Sequence, residues 1–246
     1  MRQITIVAGV LTLAVLLLLI FNIYNIWVAT VFALLLGALI IVIIGSTQIL
    51  PPCKFRIKEL YFVVNFLDDT GKLAHVKMEF ETKPFKGIAD SYTDRGLAGT
   101  GKIENLKSFR YLDGEWREIK ISSSVREGSQ TALTTPMDPP LSHKEWAKRK
   151  LEFDCIDCFT ENEESIVYRV ESITGVCFVT LNFDRRRKPK EVTVSEFIGG
   201  IENKLPPLPP SSTKPEVFSW SKKKPPLGGD FLFSWVWEQS SQNRKT

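Results

Sequence analysis

The segment from Gly96 to Lys102 comes nearest in this sequence to a known catalytic motif. Two of its three glycines, Gly96 and Gly101, stand five residues apart and a lysine follows, as in a phosphate-binding loop. However, Ile103 occupies the place of the Ser or Thr that would hold magnesium. No apolar strand precedes the segment and no clear helix follows, so the backbone amides of a helix N-terminus are missing. We therefore interpret the glycines as turn residues.

A second candidate is the Cys155-Ile-Asp-Cys158 motif, whose spacing is that of half a zinc site or of a redox pair. A structural zinc site needs four ligands. The other cysteines and histidines form no second close pair, and the residues from Phe153 to Phe159 look extended instead of opening a helix. We predict free thiols in a reducing compartment, no metal, and no disulfide exchange; the remaining candidate ligands are Cys53, Cys177, His75 and His143.

Side chains for hydrolytic chemistry are sparse. The chain has no Gly-x-Ser-x-Gly motif and only two histidines. His75 falls in an alternating strand pattern and His143 in the first turn of a predicted helix, which favours structural or solvated roles. The acidic pairs, such as Asp68-Asp69, lie beside turn formers. The sequence therefore predicts that the protein is not an enzyme and has no cofactor.

Basic residues cluster at two predicted strand connections. Arginine and lysine side chains there suit a phosphate or carboxylate ligand, although the same pattern is typical of a solvated turn near an anionic membrane. Basic and acidic residues balance over most of the chain, which argues against sequence-specific nucleic acid binding. The candidate anion or ligand contacts are Arg185, Arg186, Arg187, Lys188, Lys222, Lys223 and Lys224.

Residues 3–53 contain no Asp, Glu, Lys, Arg or His, and most of them are aliphatic or Phe. One membrane span needs about 20 apolar residues, so this stretch predicts two spans, at about residues 4–21 and 26–44. The turn between them carries two Asn residues and the interfacial aromatics Phe21, Tyr24 and Trp27. A cleaved signal peptide is the alternative, but the turn offers no small-residue cleavage site.

Basic residues flank this hairpin at both ends and are missing from its turn, which predicts cytoplasmic termini. In the second span, Ala29, Ala33 and Gly37 stand four residues apart and form a small-residue face that another helix could approach. We expect membrane lipids as partners and homo-oligomers that assemble through this packing face.

We predict that residues 51–246 form a cytoplasmic, mostly β domain that follows the hairpin of residues 1–50. This domain is expected to be an antiparallel sandwich or barrel. Ser142 with Glu145 resembles a capping box and predicts one short helix from His143 to Lys150. A polar loop at 122–140 is expected before it, with the domain dividing into halves near 122–150. Alternating segments predict strands, namely Leu73–Thr82, Ile103–Tyr111, Trp116–Ile121, Ile166–Val170, Cys177–Phe183, Glu191–Phe197 and Phe231–Trp237.

This layout, a short two-helix hairpin before a strand-rich domain without a catalytic motif, resembles the two-helix membrane effectors of bacterial anti-phage systems linked to cyclic nucleotides or retrons. The resemblance implies a multi-pass protein of the inner membrane in which a nucleotide ligand or an inhibitory partner complex controls the β domain. Release would let hairpins associate, disrupt the membrane and kill the infected cell. The alternative is a non-toxic membrane-anchored scaffold or docking protein.

Overall fold

The structure is a computed structural model that describes residues 54–98, 101–127 and 130–238. The chain divides after Pro52, and the described residues belong to the second unit. The predicted membrane spans and the boundary between residues 50 and 51 lie outside the described residues. The same holds for the predicted packing face and interfacial aromatics, namely Ala29, Ala33, Gly37, Phe21, Tyr24 and Trp27.

Every regular element in the described residues is a β-strand. The strands are β1 (Phe55–Phe66), β2 (Leu73–Pro84), β3 (Ile88–Ala98), β4 (Lys102–Leu112), β5 (Glu115–Ile119), β6 (Ser123–Glu127), β7 (Gln130–Ser142), β8 (Ala147–Ile156), β9 (Glu163–Arg169), β10 (Ile173–Asn182), β11 (Pro189–Ile198), β12 (Ile201–Lys204), β13 (Val217–Lys223) and β14 (Asp230–Trp237).

The strands form three sheets. The largest has seven strands in the order β13-β10-β1-β2-β8-β4-β5, the second has the order β12-β11-β14-β9, and the third has the order β3-β7-β6. Strand β1 pairs in parallel with β10 and antiparallel with β2. The start of β1 is thereby placed beside the start of β10 and the end of β2.

The main core lies between the seven-stranded and four-stranded sheets. Alternate residues of β1, such as Leu60 and Val64, are fully buried, as the period-two rule requires for a strand with one inward face. Aromatic rings of β14 fill the other side; the centroids of Phe66 and Trp235 lie 5.4 Å apart at a steep angle. Each such buried side chain contributes about 1.5–3 kcal/mol of stability relative to exposure.

A smaller core lies between the three-stranded sheet and the end of the seven-stranded one. It contains Phe55 of β1, Tyr92 of β3, Met137 and Leu141 of β7, and Ala147 of β8. The rings of Phe55 and Tyr92 lie 4.4 Å apart. This core secures the beginning of β1, where the candidate site described below is located.

The predicted fold class, a membrane hairpin plus a mostly β domain with one short helix, is corrected. The described residues contain no helix, and the predicted helix His143–Lys150 is wrong because its second half belongs to β8. Ser142 Oγ accepts a hydrogen bond from the Lys144 amide at 3.3 Å. This short-range bond makes a turn and not a helix cap, since the chain continues extended in β8.

Within residues 54–98, 101–127 and 130–238, no helix is long and apolar enough to cross a membrane. This finding contradicts the predicted multi-pass location in the inner membrane.

One predicted loop also differs in the structure. The segment at 122–140 was expected to be a polar loop, but most of it forms β6 and β7 of the three-stranded sheet. The proline-rich segment after β12 lies along β11, because the amides of Leu205 and Leu208 donate to the carbonyls of Val194 and Val192 at 2.9 and 2.8 Å.

Candidate functional site

A cleft of about 480 Å³ opens where the starts of β1 and β10 meet the end of β2 and the turn after β13. This volume lies in the range of small-molecule sites. Its wall carries four charged side chains, all of them basic, together with an indole ring and aliphatic groups. The residues that line it include Arg56, Lys58, Lys83, Lys224, Trp146 and Ile173.

Strand register positions the cationic side chains. Arg56 of β1 stands opposite Lys83 of β2 on one side and Ile173 of β10 on the other. A register shift follows Ile57. Directly opposed like charges in an antiparallel pair are destabilising, so the pairing of Arg56 with Lys83 has an electrostatic cost in the absence of an anion.

Close backbone packing forms the base of the cleft. A Cβ atom at Gly175 would lie 2.6 Å from the Lys58 carbonyl oxygen, so this approach of β10 to β1 requires glycine. Lys224 has a left-handed backbone conformation with φ of 48°. Its amide donates to the Gly175 carbonyl at 2.7 Å, which fixes the turn after β13 against the start of β10.

The four cations have different neighbours. Lys58 Nζ lies 3.0 Å from a Glu81 carboxylate oxygen, and this hydrogen bond raises the pKa of Lys58. The Arg56 guanidinium lies 4.4 Å from the centroid of the Phe85 ring, and Lys83 Nζ lies 4.7 Å from that of Trp146. Among the described residues, Arg56, Lys83 and Lys224 take part in no salt bridge.

The structure does not bring the predicted basic residues together. Arg185 Nε bonds Glu216 at 2.8 Å, and Arg186 lies 3.0 Å from Asp184. These carboxylates raise the pKa of both guanidinium groups. The Arg187 guanidinium lies over the Trp237 ring at 4.3 Å. This cluster is thus largely engaged within the domain.

The second predicted cluster separates in a similar way. Lys222 Nζ lies 3.1 Å from Glu196 on the inner side of its sheet, and Lys223 is exposed on the strand β13. Lys224 lines the cleft. Arg56, Lys83 and Trp146 were not predicted from the sequence as site residues. The alternating pattern of β1 and β2 could have indicated the two cations, because it places both of them on the outward face of the sheet.

The other predicted motifs lie elsewhere. His75 Nδ1 lies 2.8 Å from Asp154 on the open face of the large sheet, and Asn105 donates to the other carboxylate oxygen at 2.7 Å. These two hydrogen bonds lower the pKa of Asp154. No group of three or more possible metal ligands occurs among the described residues.

No family model matches this chain, and no curated protein matches it. Solved structures that resemble it include an M1 zinc metallopeptidase from Deinococcus radiodurans, at 6% identity and a TM-score of 0.42, covering 74% of this chain and 42% of that one. Leukotriene A4 hydrolase from Saccharomyces cerevisiae is similar at 8% identity and a TM-score of 0.42, covering 74% and 29%. The chain spans less than half the length of these structures.

These findings correct the predicted function. Among the described residues, no helix is long and apolar enough to cross a membrane. The interpretations as an anti-phage membrane effector and as a membrane-anchored scaffold are therefore withdrawn. The prediction that the protein is not an enzyme is withdrawn as well, and similarity at this level assigns no activity to the chain.

Proposed function

We propose that this domain binds a small anionic ligand of the nucleotide class in the cleft between β1, β2 and β10. The observation that carries the proposal is the charge of the cleft: its four charged lining residues are Arg56, Lys58, Lys83 and Lys224. A phosphate group placed among them would accept several charge-assisted hydrogen bonds.

The opposed pair Arg56 and Lys83 strengthens this assignment. The two residues face each other across β1 and β2, and neither forms a salt bridge within the described part of the chain. An anion bound between them replaces repulsion with two attractions. Binding of the anion is therefore expected to stabilise the folded protein.

Two cations of the cleft are preorganised by aromatic rings. Phe85 lies against the Arg56 guanidinium and Trp146 against the Lys83 ammonium. Such contacts hold a long flexible side chain near one position. Less conformational entropy is then lost when the ligand binds.

The apolar wall explains why a planar ring is expected beside the phosphate. Trp146 and Ile173 are each 40% exposed where they border the cleft. An indole beside an aliphatic side chain offers a surface on which a nucleobase can stack, and stacking is worth about 1–3 kcal/mol per base. A phosphate alone would leave this surface in water.

The experiment is calorimetric titration of the full-length chain with AMP, with adenosine and with inorganic phosphate. We expect saturable binding of AMP. Adenosine and inorganic phosphate should each bind more weakly than AMP, because each of them contacts only one wall of the cleft. Lys83→Ala and Lys224→Ala should each weaken AMP binding about tenfold or more, as expected for the loss of one charge-assisted bond. Trp146→Leu should weaken AMP binding more than phosphate binding, because it removes the stacking surface as well as the ring that holds Lys83.

Lys223→Ala is the matched control, since Lys223 neighbours Lys224 but does not line the cleft. It should bind AMP as the unmodified chain does. The proposal is wrong if AMP shows no saturable binding at millimolar concentration, if adenosine binds as tightly as AMP, or if Lys223→Ala loses as much affinity as Lys224→Ala.

A further inference from the structure

The Cys155–Cys158 pair lies at the end of β8, on the main-core side of the sheet. Cys155 pairs with Ala74 of β2 on one side and with Ile103 of β4 on the other. Cys158 follows after a turn in which Asp157 has a φ of 55°, in the left-handed region. This reversal brings residues three apart in sequence back together, and both cysteines belong to the main core.

Backbone contacts fix the turn from two directions. The Asp157 amide donates to the Lys72 carbonyl at 2.6 Å, and the Phe159 amide donates to the Gly71 carbonyl at 3.2 Å. At the start of β4, a Cβ atom on Gly101 would lie 2.0 Å from the Ile156 carbonyl oxygen. These backbone contacts define the turn that carries the two thiols in the closed state.

The two sulfur atoms interact with each other and with the backbone. As a neutral thiol, Cys158 Sγ donates to the Ile156 carbonyl oxygen at 3.6 Å and to the Lys102 carbonyl oxygen at 3.9 Å. A hydrogen bond between the two cysteine side chains lowers the pKa of Cys158 and raises that of Cys155. The Gly101 amide also donates to the Cys158 sulfur and lowers its pKa further. The thiolate is the reactive form of cysteine, so Cys158 is suited to be the attacking sulfur and Cys155 to be its partner.

We propose that Cys155 and Cys158 form a reversible intramolecular disulfide, which makes the end of β8 a redox-sensitive modification site. The inference is independent of anion binding in the cleft. Oxidation requires a small disulfide such as oxidised glutathione, which must reach the pair through local opening of the turn, because both side chains are buried.

The exchange proceeds in two balanced steps. The Cys158 thiolate attacks one sulfur of oxidised glutathione, the glutathione disulfide breaks, and one glutathione thiolate leaves. Forming the mixed disulfide removes the negative charge that raised the pKa of Cys155. Cys155 then gives its proton to the glutathione thiolate that left, attacks the Cys158 sulfur and expels the second glutathione as a thiolate, which takes up the proton that Cys158 released on ionising. Two protein thiols are oxidised and one disulfide is reduced to two thiols.

Cys177 is the internal control. It is fully buried in β10, and burial raises its pKa to about 12. A buried neutral thiol of this kind is inert. Cys177 is therefore expected to stay reduced under conditions in which the pair at the end of β8 oxidises.

The experiment equilibrates the full-length chain, with Cys53→Ser as background, against increasing ratios of oxidised to reduced glutathione. After acid quenching and alkylation in denaturant, peptide mass spectrometry measures the oxidation state of each cysteine. We expect Cys155 and Cys158 to lose alkylation together and to appear in one peptide lighter by two hydrogens. Cys177 should be alkylated at every ratio.

Single variants test the assigned roles. Cys155→Ser should accumulate a mixed disulfide between Cys158 and glutathione, because the sulfur that would expel it is absent. Cys158→Ser should leave Cys155 as a thiol. The proposal is overturned if the pair stays reduced in the Cys53→Ser chain at an about 100-fold excess of oxidised glutathione, or if Cys177 oxidises at the same ratio as the pair.

Discussion

The guanidinium of Arg149 donates a hydrogen bond from Nη2 to Oδ2 of Asp94 over 3.0 Å, and the two side chains are only 3% and 7% exposed. The pair joins β8 of the seven-stranded sheet to β3 of the three-stranded sheet. The Tyr92 ring lies 3.7 Å from the same guanidinium. A buried charge pair, and not only apolar contact, thus connects these two sheets.

Replacing Asp94 with Ala should lower the free energy of unfolding by about 3–5 kcal/mol, because the Arg149 charge would remain buried without its partner. Urea denaturation of the two proteins measures this difference. Arg117→Ala is the control, since its pair with Asp113 is exposed and contributes less than about 1 kcal/mol. Equal losses for the two variants would show that Asp94 does not neutralise Arg149.

Gly71→Ala should be strongly destabilising. Gly71 has a φ of 75°, and an added Cβ would lie 1.9 Å from the Phe159 carbonyl oxygen, so backbone must shift. Gly87 has a similar φ of 65°, but a Cβ added there would meet no atom within 4 Å. Gly87→Ala should cost about 1 kcal/mol, and Gly71→Ala clearly more.

Thermal unfolding followed by circular dichroism compares these two variants directly. The steric argument fails if both variants lose the same stability, since the shared left-handed conformation would then explain the whole effect.

Trp235→Ala should lower the free energy of unfolding by about 3–5 kcal/mol, as expected for removal of a large ring from a packed core. The Trp235 ring is almost fully buried and contacts Phe66, Phe159 and Phe183 at centroid distances of 5.4, 5.6 and 5.5 Å.

The neighbouring residue on β14 is a suitable control, because Val236 is 43% exposed. Val236→Ala should change the free energy of unfolding by only about 0.5 kcal/mol, with both variants measured by guanidinium titration. A large effect of Val236→Ala would mean that another surface covers this face of the strand.

Burial of Cys177 should make the protein less stable in alkali. Its pKa rises from the ordinary 9.0 to about 12 in the folded state. The unfolded thiol therefore ionises first, and stability falls between pH 9 and pH 12 by up to about 1.4 kcal/mol per pH unit. Below pH 9 the thiol is protonated in both states, so this contribution does not vary with pH.

Cys177→Ala removes this titration. Its unfolding free energy, measured by urea denaturation at several pH values, should decline less steeply above pH 9 than that of the unmodified chain. Parallel curves for the two proteins would contradict the assignment, whatever the offset between them.

Alternation along single strands could be predicted because it is a local property. Val76 and Phe80 point to one side of β2, and Phe231, Phe233 and Trp235 point to one side of β14, so their residue types alone indicate which face is buried. The hairpin predicted for residues 4–44 depends on apolar length, and it lies outside the described residues.

The helix predicted over His143–Lys150 failed for a non-local reason. The run Lys148-Arg149-Lys150 conceals the alternation of β8, since a charged residue is rarely expected to point inward. Arg149 is buried because Asp94, 55 residues earlier in the chain, neutralises it. A local capping pattern could not reveal a partner that only the folding of β3 onto β8 supplies.

The sequence by itself determined the period and inward face of most strands, because side chains of a strand alternate whatever its neighbours are. The tertiary structure alone decided which outward residues meet. Arg56, Lys83 and Lys224 come from separate parts of the chain and line one cleft only through the registers of β1 with β2 and β10 and of β10 with β13. Register depends on pairing between distant segments, and no short stretch of sequence encodes it.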